Sequence, residues 1–146
     1  MGPELNSERE RKCIFCSIIE GGKPRNFITE TDKSIAIVSL EGTPLVLPKR
    51  HVNELNISEC IEDMIDVYRL ANRLVPVVKE LYQVTSVNLL ENRGADAGQE
   101  IDHFHMHILP RRKKDKLMIL RVSRMTDEER EKIALSFRDL LLSCNG

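Results

Sequence analysis

His103-Phe104-His105-Met106-His107-Ile108-Leu109 is the stretch on which both fold and chemistry turn. Three of the chain's four histidines lie within five residues there, alternating with apolar side chains. Successive side chains of a β-strand point to opposite faces, so His103, His105 and His107 are expected on one face, each about 7 Å from the next. Phe104, Met106 and Ile108 take the other face, which is apolar enough to pack on a core. The histidine face must then line solvent, a metal or a substrate. Three readings stay open here: a polar strand face that happens to be histidine, an adventitious metal ladder, or a site for nucleophilic or acid-base chemistry. The third fits imidazole best, because it titrates near neutral pH and attacks phosphorus when neutral.

Working outward, Asn92-Arg93-Gly94-Ala95-Asp96-Ala97-Gly98-Gln99 leads into the histidine strand. Its glycines let backbone N–H groups approach a phosphate closely, and Asn92 and Gln99 offer amide donors. The same residues also read as an ordinary strand connection. Val84 to Glu91 forms the strand before this loop. Further back, Asn26 to Glu30, Ser34 to Ser39 and Pro44 to Leu47 are β-compatible runs around turn signals, simplest as an antiparallel meander. Between the two groups of strands, Ile61, Met64, Ile65, Tyr68, Ala71, Leu74, Val75, Val78 and Leu81 keep the three-or-four spacing of a long amphipathic helix, with Pro76 inside it. Ile14, Phe15, Ile18 and Ile19 mark one short helix. Thr126 and Glu129 form a capping box ahead of a C-terminal helix carrying Ile133, Phe137, Leu140 and Leu141. Strands and helices segregate, so the class is α+β: an antiparallel sheet of about five strands with one long central helix and a C-terminal helix.

A chain of 146 residues, 41% hydrophobic, fits one domain with a real core. Residues 1–12 lack the apolar spacing needed to dock and read as a flexible N-terminus, leaving residues 13–146 as a single domain. With 22 basic and 23 acidic residues, composition points to neither a nucleic acid polymer nor a membrane surface as partner. The absence of tryptophan argues against stacking platforms for nucleic acid. No signal-peptide core and no membrane-length apolar run is present, so the expected location is cytoplasmic, with the nucleus also compatible. Arg111 to Lys114 and Lys116 read either as a solvated loop or as a local field that steers polyphosphate. Cys60 and Cys144 read as packing residues.

Cys13-Ile14-Phe15-Cys16 has the spacing of a metal-binding knuckle, although a redox pair or incidental thiols would share it. A closed tetrahedral site needs two more ligands. His51, just past the strand ending near Pro48, and His103 can both approach the cysteines if their strands are neighbours.

Four segments together resemble the histidine triad (HIT) family of nucleotide hydrolases and transferases: Cys13-Ile14-Phe15-Cys16, Leu45-Val46-Leu47-Pro48-Lys49-Arg50-His51, Gly98-Gln99, and His103 to Arg111. The resemblance implies a HIT-like fold, a homodimer with the two sheets joined, and cleavage at the α-phosphate of an adenylate-type substrate, either a dinucleoside polyphosphate or a nucleoside phosphoramidate. It implies His105 as the nucleophile that forms a nucleotidyl-histidine intermediate, His107 as the second catalytic residue contacting phosphate, and Asn92, Gly98 and Gln99 as substrate-binding residues. Zinc-bearing members have ligands that look like Cys13, Cys16, His51 and His103, so zinc is expected in a structural role. No catalytic metal is expected, because an imidazole nucleophile splits the reaction into two easier steps. The attacking ring should be oriented by a hydrogen bond from its other nitrogen, for which a backbone carbonyl is the expected partner.

Two departures from the family pattern stand out. The segment Val38-Ser39-Leu40-Glu41-Gly42-Thr43-Pro44 is shorter than the usual ribose-holding loop, and Glu100 stands where many members carry a hydroxyl. Both motivate an alternative reading as a zinc-stabilised nucleotide-binding or interaction protein with little turnover.

Overall fold

The computed structural model describes residues 13–115 and 124–144. Its elements run α1 (Ile14–Glu20), β1 (Phe27–Glu30), β2 (Ser34–Val38), β3 (Pro44–Pro48), α2 (Ile61–Tyr82), β4 (Ser86–Leu90), β5 (Met106–Arg111) and α3 (Asp127–Cys144). Contacts divide the chain into two compact units, residues 1–115 and residues 116–146. The expected N-terminal tail, Lys116 and the side chain of Cys144 lie outside the described residues.

In the first unit the five strands form one sheet in the order β1-β2-β3-β5-β4, every neighbouring pair antiparallel. The first three strands form the expected meander. Beyond it, β5 inserts between β3 and β4, because α2 carries the chain across the sheet to its far edge before β5 returns.

The sheet is covered on two faces, and the alternation within its strands sets which residue serves which. Ala36, Val46, Phe104 and Ile108 join Val67, Leu70, Ala71, Leu74 and Val78 of α2 in one core. Ile35, Ile37, Leu45 and Leu47 join Cys13, Phe15 and Cys16 in a second core on the α1 side. Strands β2 and β3 are therefore buried almost throughout, which explains why their sequences read as continuous apolar runs rather than alternating ones. Leu45 is paired with His107, so the imidazole of His107 lies on the face that carries α1.

Helix α2 continues through Pro76 over 22 residues. It closes with Gln83 in the left-handed region at φ 55°, and Gln83 donates its backbone N–H to Glu80. It is also tied to the opposite end of the meander. The Thr31 hydroxyl donates to the Asp66 carboxylate and accepts the N–H of Ser34 at 2.9 Å, closing the β1–β2 turn while fastening it to the helix. Burial would raise the Asp66 pKa, but the Ser34 and Thr31 hydroxyls and the charges of Lys33 and Arg69 outweigh it, so the carboxyl titrates below its usual range.

In the second unit α3 begins with the expected reciprocal cap: the Glu129 N–H bonds to the Thr126 hydroxyl at 3.2 Å, and the Thr126 N–H to the Glu129 carboxylate at 3.0 Å. Among the described residues no helix is long and apolar enough to cross a membrane.

Replacing Thr31 with Val removes a donor to a partly buried carboxylate and the acceptor that closes a turn. The expected cost is about 1–2 kcal/mol, read as a lower urea midpoint at unchanged slope. An unchanged midpoint would mean that the turn is held by the strand ladder alone.

Candidate active site and metal centre

The histidine segment is not strand throughout, which corrects the sequence expectation of a strand over His103 to Leu109. Ladder pairing starts at Met106, and His103 to His105 form a bridge instead. The reason lies in the facing chain. The β3–β5 pairs stop at Val46 and Met106, and Pro48, two residues further along β3, has no N–H with which to extend them. The bridge is held by other bonds, from the Phe104 N–H to the Val52 carbonyl at 2.6 Å and from the His103 N–H to Ile101 at 2.8 Å. The rings nevertheless stay together. His105 and His107 have ring centroids 5.1 Å apart, and Phe104 and Ile108 remain buried in the α2-side core.

His103 is fully buried. Its Nε2 lies 2.8 Å from the Pro48 carbonyl, and its Nδ1 lies 3.5 Å from the sulfurs of both Cys13 and Cys16. His51 Nδ1 lies 3.2 Å from the Cys16 sulfur, and the His51 Nε2 is buried with no hydrogen-bond partner. One ligand atom from each of Cys13, Cys16, His51 and His103 falls within 4.8 Å of all the others. A tetrahedral ion with bonds of about 2.3 Å to sulfur and 2.0 Å to nitrogen requires sulfur-to-nitrogen edges of about 3.5 Å. The residues present therefore fit a metal ion, with two thiolates and two Nδ1 atoms as donors. The Pro48 carbonyl then serves as the outer partner that fixes the ring of His103.

Burial is the main force on these imidazoles. It pushes His103 down to about 4, against the opposing pull of the Pro48 carbonyl, so the buried ring is neutral. Burial followed by the neighbouring His105 also lowers His107, while the Glu41 carboxylate acts in the opposite sense.

His105 Nδ1 lies 2.8 Å from the His103 carbonyl oxygen, the backbone partner anticipated from the sequence. A carbonyl only accepts, so Nδ1 carries the hydrogen and Nε2 holds the free lone pair. The ring of Phe15 stands edge-on to His105 at 5.1 Å and to His103 at 5.7 Å. Neither Phe15, read from the sequence only as helix core, nor the Pro48 carbonyl carries a motif that would announce its role at the site.

The loop from Asn92 to Gln99 turns through Gly94 at φ 95° and Gly98 at φ 92°, conformations that favour glycine. Its expected donors are largely engaged inside the turn. The N–H groups of Gly98 and Gln99 bond to the carbonyls of Ala95 and Gly94, at 3.0 and 3.2 Å. The Gln99 side chain accepts from the Gly94 N–H at 2.8 Å and donates to the Ile101 carbonyl at 3.0 Å. The Asn92 side-chain nitrogen packs over Gly98, 3.6 Å from where a Cβ would be. A cavity of about 780 Å³ opens between this loop and the metal residues, lined among others by Cys13, His51, Asn53, Gln99 and Asp102, whereas His105 and His107 do not line it. Asn53 bridges its two sides by donating to the Asp102 carboxylate at 3.2 Å. Of the basic run, Arg111 donates to Asn88 at 2.8 Å and Arg112 donates to the Tyr82 carbonyl, so both brace the sheet edge and the end of α2.

Comparisons with known proteins bear on the family and the fold. Residues 20–114 match the family described as HIT domain. The protein named Protein hit of Bacillus subtilis is 32% identical over 104 residues, covering 68% of this chain and 70% of that protein. An adenosine 5'-monophosphoramidase of Saccharomyces cerevisiae is 33% identical over 140 residues, covering 92% of this chain and 84% of that enzyme. Among solved structures, a member of the HIT family from Bacillus subtilis superposes with a TM-score of 0.73 at 27% identity, covering 88% of this chain and 96% of that one. A histidine triad nucleotide-binding protein from Candida albicans superposes with a TM-score of 0.72 at 28% identity, covering 91% and 99%.

Because His103 is neutral when folded, the unfolded chain binds its proton more readily. In the metal-free protein this contribution to stability is present above the ordinary value of 6.5 and is lost as the pH falls toward about 4. Thermal unfolding of chelated protein should therefore move to lower temperature between pH 6.5 and 5, and less so in His103→Gln. Equal slopes for the two proteins would remove His103 as the cause.

Proposed function

The chain belongs to the HIT domain family, and we propose that it is a nucleotide hydrolase that cleaves at the α-phosphate of an adenylate-type substrate, a dinucleoside polyphosphate or a nucleoside phosphoramidate, through His105. The observation that carries this reading is the hydrogen bond between His105 Nδ1 and the His103 carbonyl, which leaves Nε2 as the nucleophile beside His107. The phosphoramidase activity named for the Saccharomyces cerevisiae relative, and for one of Schizosaccharomyces pombe, supports the same class.

The reaction runs in two displacements. His105 Nε2 attacks the α-phosphorus, the nitrogen–phosphorus bond forms, and the bond to the leaving group breaks with its electron pair. An amine leaves with a proton drawn from solvent; a polyphosphate leaves as an anion. Throughout, the hydrogen stays on His105 Nδ1 and is donated to the His103 carbonyl, which stabilises the positive ring of the nucleotidyl-histidine. Water then attacks phosphorus and gives its proton to solvent, and the bond to Nε2 breaks, releasing the nucleoside monophosphate. His107 donates an imidazole hydrogen to a phosphate oxygen. Asn92, Gly98 and Gln99 form the phosphate-side loop, and since Gly98 and Gln99 are already bonded within the turn, Asn92 is its freest amide.

Cys13, Cys16, His51 and His103 would hold zinc, which supplies a structural tie between α1 and the bridge ahead of β5. Strand β4 ends the sheet and leaves Leu90 exposed, which supports a homodimer joined along that edge.

Incubation with adenosine 5'-phosphoramidate and with diadenosine polyphosphate should release AMP, and His105→Ala should lower turnover by at least about a thousandfold. Equal turnover by the variant would overturn the assignment, and tight nucleotide binding with no AMP released would favour a binding protein. Purified protein should carry about one zinc per chain, and Cys13→Ser should lose most of it. Light scattering should give the mass of two chains; a monomer would refute the shared edge.

A further inference from the structure

Helix α1 is a single short element of seven residues, and its N-cap, Cys13, makes no side-chain capping hydrogen bond. Helices of that length do not hold themselves in water. Its first turn is fastened by packing of Cys13, Phe15 and Cys16 on Ile35, Ile37, Leu45 and Leu47, and by the two sulfurs, which face His51 and His103. Phe15 lies inside that turn, is only 5% exposed, and meets His105 at 5.1 Å with the ring planes 67° apart. Its ring also meets His103 at 5.7 Å and 81°. The imidazole of His105 thus has two constraints beside its neighbour His107. One is the hydrogen bond to the main chain of His103. The other is the T-shaped contact with Phe15, a buried ring packed against the imidazole. Both constraints arise from residues of the four-membered metal set or from the turn between its two cysteines.

We propose that Phe15 is a positioning residue for His105 and that the metal centre, by fixing the turn that carries Phe15, sets the orientation of the attacking imidazole. The proposal rests on His105 being the nucleophile. It makes the metal centre more than a staple. Emptying the site releases the Phe15 turn and loosens the His103 backbone together, so the nucleophile loses its aim before the sheet loses its fold. The sheet is also held on its opposite face by the α2-side core, which includes none of these α1 residues.

The test uses the zinc-loaded full chain with Phe15→Leu, which keeps an apolar side chain but removes the ring, and Phe15→Tyr, which restores it. Zinc content and melting temperature are measured alongside kcat, KM and the ring nitrogen NMR shifts of His105. Phe15→Leu is expected to keep its zinc, to lower kcat about tenfold with KM nearly unchanged, and to move the His105 ring signals. Phe15→Tyr should restore both readouts. Chelating wild-type protein should move the same signals in the same direction while the backbone spectrum of α2 stays folded. Unmoved His105 signals in Phe15→Leu, or in chelated protein, would overturn the proposal. Wild-type protein that releases no AMP would instead defeat the catalytic reading, and the NMR comparison would still decide whether Phe15 and the metal orient the ring.

Discussion

A fully buried imidazole at the point where two chain segments stop pairing organises this molecule. His103 meets the sulfurs of Cys13 and Cys16 with one ring nitrogen, meets the Pro48 carbonyl with the other, and lends its own carbonyl to His105. A buried polar ring with an unmatched nitrogen would cost several kcal/mol, so each of these partners is a requirement rather than an ornament. Through them one residue connects the N-terminal turn, the end of β3 and His105. Pro48 contributes twice, by having no N–H with which to extend the ladder and by turning its carbonyl to the ring.

The sheet separates stability from chemistry. Its α2 face is filled by aliphatic side chains at helical spacing, with Phe104, Met106 and Ile108 as the contribution of the histidine segment. The opposite face carries a smaller apolar cluster around α1 and Leu45, and His107 stands next to it by register. The proposed reacting groups therefore sit on the face opposite the main core. That arrangement lets imidazoles be partly desolvated without opening a hole in the main core.

The loop ahead of the bridge shows how local satisfaction limits what a motif can do. Gly94, Gly98 and Gln99 look like phosphate donors in the sequence, yet most of their hydrogen-bonding capacity closes the turn itself. Their contribution is chiefly shape: two left-handed glycines bring Asn92 over Gly98 and set the wall of the neighbouring cavity. Glu100 stands exposed at the end of this loop and lines the same cavity.

Spacing of three or four marked the helices, alternation marked the histidine segment, and apolar runs between turn signals marked the meander strands, because all of these are properties of neighbouring residues. The Thr126 and Glu129 cap was legible for the same reason. The four metal-site residues could be nominated from residue type and spacing, and the carbonyl partner of His105 from the needs of an imidazole nucleophile. What the local sequence could not carry was the end of β3–β5 pairing at Val46 and Met106, the insertion of β5 between β3 and β4, and the contact of Phe15 with His105. Each depends on residues far apart in the chain meeting in space, and only the tertiary structure decides which atoms those are.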